Sequence, residues 1–139
     1  MEMEMDSESK SGYKYRAEIR LILSHPLLIE SYNKISEYIQ ADTIPQTMKL
    51  MIRWVYRDIY LKNGKKLPEP PPLGKMEASK DRIELRVRLD SKTRKKWLSL
   101  KENLPATKYR NLYGRKPHTI AFSELIMLYA NYLKKEGKI

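Results

Sequence analysis

The residues best placed to do chemistry form one run, Arg82-Ile-Glu-Leu-Arg-Val-Arg-Leu-Asp-Ser-Lys-Thr-Arg-Lys-Lys-Trp-Leu98. Its first eight residues alternate. Ile83, Leu85, Val87 and Leu89 fall on one face of an extended strand, and Arg82, Glu84, Arg86 and Arg88 on the other. The period then changes from 2 to about 3.6 at Asp90-Ser91, a pair suited to capping a helix. A short strand whose outer face is mostly arginine, running straight into a helix, suits no catalytic task. It suits laying side chains into the DNA major groove, which is wide enough to admit a two-stranded ribbon.

Such a strand needs a body to hold it. The chain has 139 residues, enough for one compact domain or two very small ones. Hydrophobic residues make up 41%, sufficient for a core, and the formal net charge is +11. That charge is uneven. Residues 1–12 carry four acids and one lysine, net −3, so the rest of the chain is +14. A body this basic expects a polyanion, most commonly nucleic acid. There is no cysteine, which excludes disulfides and thiolate zinc sites. No apolar run approaches the roughly 18 residues of a membrane span, and the acidic N-terminus is unlike a signal peptide. The expected location is therefore the cytoplasm, without membrane association. Only two glutamines (Gln40, Gln46) and no cysteine, beside abundant Lys, Arg and Tyr, lean toward a thermophilic source.

Four segments follow from composition and pattern. Residues 1–12 read as a disordered acidic tail. Residues 13–61 and 81–139 are two structured blocks. Residues 62–80 form a stiff linker, in which Asn63-Gly64 stops a helix and four prolines occupy 68–72. The second block predicts a strand over 82–89 and helices over about 91–103 and 120–135. Leu89, Thr93, Trp97 and Leu100 form the buried stripe of its first helix. Phe122, Leu125, Ile126, Tyr129, Ala130 and Leu133 form that of its second. The first block repeats that order. A strand over 15–23 precedes a helix over 26–40, with Leu27, Tyr32, Ile35 and Ile39 on one side, and a second helix runs from Thr43 to about Leu61. Glu18-Ile-Arg-Leu-Ile-Leu-Ser matches Glu84-Leu-Arg-Val-Arg-Leu-Asp, and Thr43-Ile-Pro-Gln-Thr-Met echoes Thr119-Ile-Ala-Phe-Ser-Glu. The alternative is a purely helical first block with Leu21, Ile22, Leu23 and Leu27 as its core.

Strand, helix, helix with this patterning resembles the ribbon-helix-helix family of transcription regulators. Arg-Val-Arg-Leu-Asp-Ser-Lys-Thr (86–93) is similar to that family's strand-to-helix junction, and Ser123-Glu124-Leu125-Ile126 to the start of its second helix. The connection 103–118 is about ten residues longer than the family's tight turn, and Thr119 stands where a glycine is usual. Two copies in one chain resemble the tandem ribbon-helix-helix regulators of archaeal viruses. The resemblance implies a mainly α fold with a short two-stranded antiparallel β-ribbon, two motifs in one chain, and a ribbon that enters the major groove of double-stranded DNA. The linker spans up to roughly 60 Å when extended. The two strands can thus pair within one chain as a pseudo-dimer, with pairing between chains as the alternative.

On that reading the base-reading residues are Glu18, Arg20, Ile22, Glu84, Arg86 and Arg88. Each arginine offers two donors to guanine O6 and N7. Ile22 meets a thymine methyl or is buried against a neighbour; the glutamates accept from cytosine N4 or pair with flanking arginines. Phosphate contacts fall to Arg16 and Arg82 at the strand starts and to Thr43 and Thr119 at the start of each second helix. Lys108, Arg110, Arg115 and Lys116 of the long loop complete the set. Lys92, Arg94, Lys95 and Lys96 read as a solvated helix face. Trp54, Tyr56, Tyr129 and Tyr132 are candidate surfaces for self-association on DNA, or core. Neither a cofactor nor a metal is implied. His25 and His118 lie far apart, and without a phosphate loop or acid cluster no enzyme is expected. The competing function is non-specific nucleic-acid binding or packaging.

Overall fold

A computed structural model describes residues 18–72, 76–104 and 117–139. Strand β1 (Glu18–Leu23) leads into helices α1 (Pro26–Ile39) and α2 (Ile44–Val55), and β2 (Ile83–Arg88) into α3 (Ser91–Glu102) and α4 (Pro117–Lys135). The protein is mainly helical with a single two-stranded antiparallel sheet among the described residues. The expected tail, and the start of a strand before Glu18, lie outside those residues.

Alternation dictates the ribbon. Ile19, Leu21 and Leu23 of β1 and Leu85 and Val87 of β2 turn inward and are buried, while the intervening residues are exposed. Both strands belong to this one chain, paired Glu18 to Arg88, Arg20 to Arg86 and Ile22 to Glu84 on the outer face. A ribbon with one apolar face is marginal by itself in water. Here α4 covers β1 and α2 covers β2, while α1 packs on α4 and α2 on α3. Each block's strand is thus backed by the other block's second helix.

Local signals fix the helix ends. Asp90 caps α3 by accepting from the Thr93 amide at 2.8 Å, and Thr43 caps α2 by accepting from the Gln46 amide at 3.2 Å. His25 caps α1 through Nδ1, which accepts from the Leu27 amide at 3.1 Å. With the cap there, the α1 stripe is Leu28, Tyr32, Ile35 and Ile39, all buried. Leu27, expected in that stripe, lies about 100° round the helix from Leu28 and is 38% exposed. The helix beginning at Ile44 reaches Leu61 as expected, but Tyr56–Leu61 is π-helical, and Ile59 and Tyr60 both point inward. Gly64, at φ +68, follows it.

The two blocks bury side chains at matching spacings. Leu28, Tyr32, Ile35 and Ile39 in α1 correspond to Thr93, Trp97, Leu100 and Leu104 in and after α3. Thr47, Met48, Met51, Ile52 and Val55 in α2 correspond to Ala121, Phe122, Leu125, Ile126 and Tyr129 in α4. That register differs from the echo between Thr43 and Thr119. The fourth helix begins at Pro117, so Thr119 sits inside its first turn and not at a cap. Phe122 joins the blocks: its ring meets Tyr32 edge-on at 6.1 Å and Trp97 at 6.0 Å.

Candidate nucleic-acid interface

The six residues expected to read bases share one exposed surface, the outer face of the ribbon. Arg20 lies directly across from Arg86. Like charges directly opposite on a sheet destabilise it, and among the described residues neither guanidinium forms an ion pair with a carboxylate. At one end, Arg88 Nε lies 3.8 Å from Glu18 Oε2, with the Arg88 side chain 79% exposed. A contact that long and that wet holds Arg88 weakly. At the other end Ile22 faces Glu84. Ile22 is 36% exposed, so it belongs to the outer surface and not to the core. Three arginines, two glutamates and one isoleucine give the face a net charge of only +1. It is a patterned surface of donors, acceptors and one apolar group.

The ribbon is held rigidly from below. Arg53 reaches from α2 to the end of β2, where its Nη2 donates to Asp90 Oδ2 at 2.8 Å and its Nε to Thr93 Oγ1 at 2.9 Å. The Thr93 hydroxyl, fully buried, donates to Asp90 Oδ2 at 3.1 Å. The Thr93 amide, then the Thr93 hydroxyl and Arg53, hold the Asp90 carboxyl below its ordinary range. This cluster ties the strand-to-helix junction of one block to the second helix of the other.

Three of the expected phosphate-binding residues fall among the described residues. Arg82 is exposed immediately before β2, and Thr43 is exposed with its hydroxyl engaged in capping. Thr119 is half-buried, and its carbonyl accepts from Ser123 Oγ at 2.8 Å. Arg16, Lys108, Arg110, Arg115 and Lys116 lie outside the described residues. The aromatics considered for self-association are engaged inside the chain. Tyr129 is buried and stacked on Tyr132 at 6.1 Å, and Trp54 meets Tyr38 edge-on at 6.1 Å. Tyr56 lies 5.2 Å from Tyr60. The Arg53 anchor was not singled out in the sequence. Its signal is an arginine on the helix face next to the buried Ile52, which periodicity alone assigns to solvent.

Among the described residues no group of three histidine or acidic side chains lies close enough to hold a metal ion, and no helix is long and apolar enough to cross a membrane. No protein-family model, curated protein or solved structure matches this chain.

Proposed function

We propose that this protein is a sequence-specific regulator of transcription that inserts its β-ribbon into the major groove of double-stranded DNA. The two blocks then act as tandem ribbon-helix-helix motifs, and the chain as an intramolecular pseudo-dimer. The observation that carries the reading is the facing pair Arg20 and Arg86, exposed at the centre of the ribbon without an acidic partner among the described residues. An external array of acceptors relieves that repulsion, and guanine O6 and N7 supply one. The matching burial of α1 with α3 and of α2 with α4 supports the tandem arrangement.

The mixed face also favours base reading over packaging. A packaging surface gains from cations alone, because its affinity comes from phosphates. Glutamates at two of six positions oppose that and supply acceptors for cytosine N4. The outward sets are Glu18, Arg20, Ile22 and Glu84, Arg86, Arg88. They agree at two positions and differ at the third, so the target is an imperfect palindrome. Interference by base methylation tests the groove. Methyl groups on guanine N7 in the major groove are expected to block binding. Interference confined to adenine N3, in the minor groove, would overturn the proposal.

A further inference from the structure

We infer that the outer face of α3 is a second DNA-contacting surface, gripping the phosphate backbone on one flank of the ribbon only. This rests on the groove-reading function proposed above and assigns it a polarity. The ribbon's outer face carries a charge of +1, too small to supply the phosphate-driven affinity that dominates duplex binding. The cations must stand elsewhere. Helices α1 and α3 occupy corresponding places, each leaving one end of the ribbon, yet their charges differ. α1 carries Glu30, Lys34 and Glu37, net −1, with Lys34 Nζ 3.2 Å from Glu30 Oε2. α3 carries Lys92, Arg94, Lys95, Lys96, Lys101 and Glu102, net +4.

Three of those cations are placed for the task. Lys92, Arg94 and Lys95 lie in the first two turns of α3, are exposed, and form no ion pair with a carboxylate among the described residues. Asp90, the nearest acid in sequence, is held by Thr93 and Arg53. Lys92 follows Arg88 by four residues, so it stands at most about 14 Å beyond the last base-reading side chain. The major groove is about 12 Å wide. A cation within that reach can meet the groove wall while Arg88 meets its floor. At the other end of the ribbon the corresponding positions are Leu27, which is exposed, Ile29 and Glu30. Those side chains carry no cation, and beside them Lys80 and Arg82, exposed ahead of β2, are offset by the exposed acids Glu77 and Asp81. The chain therefore sits on DNA with a tight flank beside α3 and a loose flank beside α1.

The test replaces three exposed side chains, K92Q/R94Q/K95Q, and measures duplex affinity against salt together with hydroxyl-radical protection of each flank. Each lost phosphate contact lowers the slope of log K against log salt by about 0.9. The triple variant is expected to flatten it by about 2 to 3, to lose protection on one flank and to keep the wild-type target preference. Circular dichroism and thermal unfolding establish that the variant is folded. An unchanged slope with unchanged protections would overturn the inference, and so would equal losses on both flanks. Failure of the wild-type protein to bind duplex DNA at all would instead remove the groove-reading function beneath it.

Discussion

Replacing Asp90 probes the junction that aims the ribbon. In Asp90→Ala the Thr93 amide loses its cap, about 1 kcal/mol. The buried Thr93 hydroxyl loses an ionised acceptor at 3.1 Å, again about 1 kcal/mol. The pair with Arg53 adds at most about 1 kcal/mol, because both side chains are nearly half exposed, 44% and 49%. The expected loss is about 2 kcal/mol, a fall in Tm of roughly 6 °C for a chain of this size. Asp90→Asn keeps a capping oxygen and forfeits only the charge, so it should lose about half as much. Acid separates the two effects. The Asp90 carboxyl is held below its ordinary value of 3.8. Its ionised form therefore stabilises the fold fully above that value, and the benefit disappears as the pH falls through the depressed folded value. The gap between wild type and Asp90→Asn should close on acidification below 3.8. Urea unfolding at several pH values measures it. Equal losses in the two variants, or a gap independent of pH, would refute the assignment of Asp90 as a charged cap.

Three further outcomes follow from the packing and the ribbon. Phe122→Ala removes the ring shared by Tyr32 and Trp97 and should destabilise by about 3–5 kcal/mol in denaturant unfolding; Phe122→Leu should lose clearly less. Because each strand is backed by the other block's helix, a protease site placed between Leu67 and Met76 should, once cut, leave the halves associated on gel filtration. Each half expressed alone should lack cooperative unfolding. Ile22→Arg restores the residue type that β2 carries at Arg88, on an exposed site. It should change stability by no more than about 0.5 kcal/mol and, in binding selections, move the preference at one end of the target from A·T toward G·C.

Strand β2 was legible in the sequence because one face is aliphatic and the other charged; in β1, Ile22 interrupts the charged face and left a helical reading open. Ile19, Leu21, Leu23, Leu85 and Val87 are buried as alternation requires. The stripes of α3 and α4 were equally plain. In α1, Tyr32, Ile35 and Ile39 are buried as expected, and only Leu27 gives way to Leu28, because both are leucines in the first turn and the sequence does not say which one faces inward. The correspondence of α2 with α4 was misaligned because matching threonines outweighed the burial pattern, which only tertiary contacts reveal. Arg53 was missed for a different reason. An arginine whose work is to join Asp90 and Thr93, at 2.8 and 2.9 Å, looks in sequence like any solvated helix cation. The net charge of the chain does not say where the cations stand: the outer face of the ribbon carries only +1.

The most direct test of the central claim is selection of bound duplexes from a random pool at fixed salt, comparing wild type with Arg86→Ala/Arg88→Ala. Both side chains are exposed on the ribbon, so the variant should remain folded. Wild type is expected to select a defined, imperfectly palindromic motif. The variant should lose preference at two adjoining positions, about 1–3 kcal/mol at each, while retaining weak binding to all DNA. A pool that yields no motif, with the variant merely binding everything slightly less, would contradict base reading by the ribbon and leave its arginines as phosphate contacts.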